Sequence, residues 1–261
     1  MRRLAHILFA TGMAGLGVLS LLSGDFAMNW QPVPDSLPHR AAFAYASGAL
    51  LLAGGLGMCF RRTAAVAVRS LTAFLFLWLL VLQLPRVAAR PLDEGMWLGF
   101  CETTVLTAGA WILSCFCAAG SGPGSADGEA WMRAGRVAFA AALPLIGLSH
   151  YVYVGATASM VPAWIPAHVF FAYLTGTGHI AAGAGMLLGI LRRAAAVLEA
   201  AMISCFVLLL HIPGVCAAPA SRLQWTMLFV ATALMAAGWS AAASLFADKP
   251  VPGPSGAAGA A

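Results

Sequence analysis

Apolar residues run along this chain in long blocks, separated by short clusters of charge, proline and glycine. Eight blocks stand out, at about 4–22, 41–60, 65–84, 97–117, 136–154, 168–191, 194–212 and 224–246. Each holds about 18–24 residues, and a helix needs about 20 to cross a hydrocarbon core about 30 Å thick. Helix is the economical state there, because no water is present to satisfy a free backbone N–H or C=O. The pattern predicts an all-α membrane protein with eight transmembrane helices.

Two stretches lack an apolar face. Residues 118–130 (AAGSGPGSADGEA) read as a cytoplasmic Gly/Ser linker, and the proline-containing tail 247–261 reads as disordered. Comparing the halves on either side of the linker exposes a repeat. A shift of 128 aligns Val33-Pro34 with Val161-Pro162, Pro38 with Pro166 and Phe43-Ala44-Tyr45 with Phe171-Ala172-Tyr173. It also aligns Gly48 with Gly176, Ala53 with Ala181, Gly55 with Gly183 and Gly57-Met58 with Gly185-Met186. That makes 11 identities over positions 33–58, where chance gives roughly two or three. After a three-residue slip at Arg61-Arg62 and Arg192-Arg193, the register returns at Pro85 with Pro213 and Trp111 with Trp239. Four helices per copy is an even number, so both copies enter the membrane the same way. The predicted architecture is two parallel-repeat four-helix bundles, 1–117 and 131–246. Arg2-Arg3 and the apolar run after them also resemble a signal peptide. The matching helix near 136–154 favours a retained first transmembrane helix.

Composition supports the membrane reading, with 61% hydrophobic residues, only 9% charged and a mean hydropathy of +0.88. A soluble domain carries about 25% charged residues. The net charge of +5 comes almost wholly from arginine. With the N-terminus inside, ten bases fall on the cytoplasmic side and only Arg40, Arg86, Arg90 and Arg222 outside, as the positive-inside rule requires. Both termini are then cytoplasmic, and the basic balance orients helices rather than binding nucleic acid.

Ionisable residues inside spans are costly unless paired or functional, and here the halves differ. The second has His150, His168, His179 and His211, aligned with Leu22, Arg40, Leu51 and Gln83 of the first. His150, His168 and His211 map to outer helix ends. His179 lies about 16 Å deeper than His168 on the same stripe, with Thr175 between them in depth. Three readings stay open: ligation of a metal or haem, proton shuttling for quinone or thiol chemistry, and interfacial hydrogen bonding. No HxxxH or CxxCH spacing supports the first, so no metal ligands are assigned. Glu102 lies on the histidine-rich side but in the other half, and Glu199 is placed to pair with Arg192 or Arg193. Among the cysteines, Cys101 and Cys216 fall near the outer face, where a bridge is chemically permitted. Trp30, Trp97, Trp164 and Trp225 read as an aromatic belt at outer helix ends.

Several motifs of the second half resemble the DoxX family of small four-helix membrane proteins. They are Gly147-Leu-Ser-His150, Val161-Pro-Ala-Trp-Ile-Pro166, Ala172-Tyr-Leu-Thr-Gly176 with His179 and Gly183, Arg192-Arg193-Ala-Ala-Ala, and His211-Ile-Pro213. The first half resembles the family more weakly. The resemblance implies a tandem fusion of two such units in a bacterial inner membrane, working as a redox-associated subunit linked to quinone or thiol chemistry. Quinone is the implied cofactor ahead of haem or metal, and a redox protein or a small apolar molecule the implied partner beside the lipid bilayer. Family members commonly carry an acidic residue after the second-helix glycine, where this chain has Leu51 and His179. The candidate polar site is therefore His150, His168, His179, His211 and Glu102. A small-molecule binding or transport-like protein and a non-catalytic scaffold are the alternatives.

Overall fold

The computed structural model describes residues 1–118 and 126–247, and every regular element among them is a helix. In chain order they are α1 (Arg2–Ser23), α2 (Arg40–Met58), α3 (Ala64–Ala89), α4 (Glu94–Ala118), α5 (Ala126–Val152), α6 (Val154–Met160), α7 (His168–Leu188), α8 (Arg192–Ala217) and α9 (Arg222–Ala247). Seven of these are long and apolar enough to cross a membrane. This is a multi-pass integral membrane protein. Of the remaining two, α6 is a single short helix that the apolar pattern does not reveal. The other, α7, has 21 residues, but His179, two threonines and several glycines dilute its hydropathy.

Element ends differ from the apolar blocks for identifiable reasons. Pro85 and Pro213 read as breakers near the ends of α3 and α8, because proline removes an i→i−4 donor. Both helices instead absorb the proline by widening into a π-helical turn, at Leu79–Gln83 and Val207–His211. The N–H of Leu84 then donates to Leu79 O, and that of Ile212 to Val207 O. Residues 126–130, expected as linker, form the start of α5. The rest of the expected linker, 119–125, and the tail beyond Ala247 lie outside the described residues.

The helices are not sorted into two self-contained bundles. Helix α1 packs on α2 and on α9, while α5 packs on α7 and on α4. Helix α3 bridges α2 and α4, α8 bridges α7 and α9, and α4 meets α9 across the middle. Each half thus lends its last helix to the first helix of the other. Glycine makes these contacts possible, since small residues let membrane helices approach closely. A Cβ on Gly17 would meet Leu52 N at 2.4 Å, and one on Gly147 would meet Gly176 O at 2.5 Å.

Local geometry also recurs at a spacing of 128 residues. His39 and Ala167, before α2 and α7, both take the left-handed backbone, at φ 54 and 57. The Trp97 indole donates to Pro91 O and the Trp225 indole to Pro219 O, at 2.9 and 2.8 Å. The upper end of the molecule carries residues 24–39 and 153–167; the lower end carries Met1 and Gly189.

Candidate functional site

A cavity of about 640 Å³ opens between α4, α5, α7, α8 and α9, with α6 across its upper rim. Its walls are mostly apolar, including Leu98, Val105, Ile146, Met227 and Val230. Its polar groups fall in two sets, with His150, Thr175, His179 and Glu199 toward the lower end and Glu102 and His211 nearer the upper end.

The deepest pair is His179 and Glu199. The α7–α8 hairpin turns at Gly189, at φ 77. Gly189 sits midway between the two residues in the chain, so they meet at one depth on antiparallel helices. His179 Nδ1 lies 2.7 Å from Glu199 Oε1, and the side chains are 4% and 0% exposed. Glu199 Oε2 has no partner. This corrects the expected pairing of Glu199 with Arg192 or Arg193. Those arginines lie six and seven residues nearer the lower end, about 9–10 Å away along the helix. Arg193 instead donates to Leu245 O at 3.0 Å and covers the Phe246 ring.

His150 joins this pair from α5. Its ring meets that of His179 edge to face, with centroids 5.1 Å apart. Its Nδ1 lies 2.9 Å from Thr175 Oγ1, and that hydroxyl donates to Phe171 O at 2.8 Å. With the Thr175 proton directed to Phe171 O, the His150 proton sits on Nδ1 and Nε2 is left as an acceptor. Phe206 of α8 packs against both rings, at 6.4 and 6.0 Å. His211, turned by the π segment of α8, and Glu102, from α4, line the same cavity higher up.

Of the five candidate residues, the structure thus brings His150, His179, His211 and Glu102 together. It leaves His168 at the start of α7, half-buried and off the lining. Two further corrections follow. The glycine contacts pair Ser20 with His150, since Gly48 faces Ser20 Cβ at 2.9 Å as Gly176 faces His150 Cβ at 2.8 Å. The aligned residue is therefore Ser20 rather than Leu22. Trp30 is not part of an interfacial belt: it packs on the core of the first half and lines the cavity. Glu199 is the main participant that sequence reasoning missed. Its signal was its equal distance from the hairpin tip, not its nearness to arginine.

A second cavity, of about 550 Å³, lies above and beside the first. It is polar, with Asp25, Arg40 and Arg86, and it shares Trp30, Leu98 and Glu102 with the inner cavity. Asp25 is bound by Arg40 and by Arg222, the latter at 3.3 Å, so the 24–39 loop is tied to the start of α9. Desolvation pushes the Asp25 carboxyl up, but hydrogen bonds from Phe26 N, Arg40 and Arg222 outweigh it and hold its pKa below the ordinary 3.8.

Glutamate and histidine in hydrogen-bond contact share one proton, held as a neutral pair or as an ion pair, and can pass it to a third group. Among the described residues no three His, Cys, Asp or Glu side chains are grouped as a metal ion requires. All six cysteines are free; Cys101 is buried on α4 and Cys216 is exposed, so the permitted bridge is not formed. The chamber suits an organic molecule: apolar walls for its body, and a few convergent polar groups for one end. No family model matches the chain, and neither a curated protein nor a solved structure does.

Proposed function

We propose that this protein binds a small lipid-soluble molecule in the inner cavity and exchanges protons with it, as a quinone-linked, redox-associated membrane subunit. The observation that carries the reading is the buried His179–Glu199 pair at the closed end of an apolar chamber. An ionisable pair at mid-membrane costs several kcal/mol to desolvate, and apolar residues would pack there more cheaply. A quinone head carries oxygens that take up protons when it is reduced, and His150 Nε2, His179 and Glu199 Oε2 are the groups placed to serve them.

The wider architecture belongs to the same proposal. The chain is read as a tandem duplication of a DoxX-like four-helix unit with α7 as an eighth span, upper end outward and both termini cytoplasmic, in a bacterial inner membrane. The recurrences at 128 residues support the duplication; the motifs between Gly147 and Pro213 support the family. A transport-like path is less favoured. Below Glu199 the route is filled by Ala182, Ala196, Ala242 and Leu245, all buried, and a transporter would need polar groups there.

The test is binding of decylubiquinone to purified protein, followed by quenching of tryptophan fluorescence. Wild type should bind saturably, and His179→Leu should bind at least tenfold more weakly. Equal binding by both proteins would remove the site from consideration.

A further inference from the structure

The inner chamber is closed below and open to one side, and that asymmetry points to the shape of its ligand. On α8, Cys205 and Leu209 both line the cavity and are exposed, Leu209 by 39%. They are four residues apart and so share one edge of the helix. Above them Met160 of α6 also lines the cavity while 41% exposed. On α8, a helix long and apolar enough to cross a membrane, exposure beyond the cavity is exposure to lipid. Phe171 and Thr175 of α7 line the cavity across from α8. The π turn of α8 spans Val207–His211, beside this gap.

We propose a lateral doorway between α7 and α8, beneath α6, through which a single-tailed amphiphile enters from the bilayer. Its hydrogen-bonding head reaches His150, His179 and Glu199, and its apolar tail passes Cys205 and Leu209 into lipid. Glu199 and Leu209 are ten residues apart on α8, about 15 Å along the axis. A tail of roughly ten methylenes spans that distance and emerges among lipid chains. The inference rests on the reading above for the head and adds the tail, its route and the leaflet-side opening.

The test compares decylubiquinone with the tail-less ring compound 2,3-dimethoxy-5-methylbenzoquinone, on wild type, Cys205→Phe and Leu209→Phe. A phenyl group at either position fills the doorway without touching the His–Glu pair. The expected result is at least tenfold weaker binding of the tailed probe to both variants, with the tail-less probe changed less than threefold. Unchanged binding of the tailed probe overturns the doorway while leaving the site reading intact. Equal weakening of both probes also overturns it, since the variants then act on the chamber as a whole. A second measurement does not depend on the head group. A fatty acid carrying a diazirine about seven methylenes from its carboxyl, level with Cys205 when the head is at Glu199, photolysed in membranes holding the full protein, should label Phe171 or Cys205 peptides in wild type and not in Cys205→Phe. Labelling elsewhere only overturns the doorway, and labelling without any quinone binding overturns the function reading alone.

Discussion

At the depth where the second half holds His179 and Glu199, the first half holds Leu51 and Leu71, both fully buried. Around them Ser20 stands for His150, Trp78 for Phe206 and Gln83 for His211. The backbone geometry is shared, down to the π turns and left-handed caps, yet the interiors are opposite. In the first half Leu51, Leu71, Leu75 and Trp78 close into one core cluster. The 24–39 loop folds in over them, and Gln31 donates to Ser47 Oγ at 2.8 Å, at the position where Thr175 receives His150. In the second half the corresponding space is a chamber with a polar floor. The difference teaches that the fold does not need the histidines, because the same helix arrangement is held by leucine next door.

That comparison predicts a non-additive result, the largest effect expected. His179→Leu or Glu199→Leu alone leaves the other partner buried and unpaired, at about 3–5 kcal/mol. The double variant reproduces the leucines of the first half and should recover most of that stability, while abolishing ligand binding. Thermal unfolding in detergent of the two singles and the double gives the coupling directly. A double variant as unstable as the sum of the singles would mean that His179 and Glu199 are not energetically coupled.

The close helix contacts, by contrast, should behave alike in both halves. Gly17→Ala and Gly147→Ala each drive a methyl into backbone, against Leu52 N and Gly176 O respectively. Overpacking of this kind costs about 1–3 kcal/mol. Both variants should lose comparable stability, but only Gly147→Ala moves α5 relative to α7 and should weaken binding. Equal loss of binding in Gly17→Ala would show that the two interiors are mechanically coupled through α4 and α9.

Much of this comparison was legible in the sequence, and the part that was not has a physical cause. Span positions followed from apolar length, and the asymmetry of histidines from aligning the repeat. The His179–Glu199 contact was hidden because a nearby arginine is the obvious partner for a glutamate in sequence. Depth across a hairpin decides the matter instead. The exchange of last helices between halves left no local signal, since α4 and α9 are apolar around most of their circumference and carry no polar face that marks a partner. For the same reason Glu102, on α4 of the first half, could not be assigned to a chamber of the second.

A smaller effect is expected at the acceptor that orients His150. Thr175→Val keeps the shape and removes the hydroxyl, so the ring loses the partner of its Nδ1. Hydrogen bonds between membrane helices average about 0.6 kcal/mol, and the stability loss should be of that order. Binding of decylubiquinone should fall more than stability does, because either ring nitrogen can then carry the proton. Ser47→Ala, the matching change in the first half, should cost similar stability and leave binding alone. If Thr175→Val also leaves binding alone, His150 takes no part in recognition.

The smallest effect lies at the junctions between the halves, where the comparison becomes one of pH. Asp25 ties the first loop to Arg222 of α9, and its lowered pKa means that the ionised form is favoured by folding. Its contribution is therefore complete at pH values above the ordinary 3.8 and is lost as the pH falls through the depressed value of the folded state. Because the carboxylate and both arginines are partly exposed, the contribution is about 0.2–1 kcal/mol. The opposite junction is closed by Tyr153, beside Gly95 and Glu94. Its pKa is pushed up from 10 by burial and by the nearby Glu94 and Asp93 charges, so the phenol stays neutral throughout this range. Asp25→Asn should thus unfold slightly earlier than wild type at pH 7, with the gap narrowing as the pH falls below 3.8. Tyr153→Phe should show a difference from wild type that shrinks over the same interval, because the phenol hydrogen-bonds the Glu94 carboxylate and loses that partner's charge as it takes up a proton. A gap between Asp25→Asn and wild type that does not narrow below pH 3.8 would mean that the loop is held by the shape of its packing on Phe26 and Trp30, and not by the charge of Asp25.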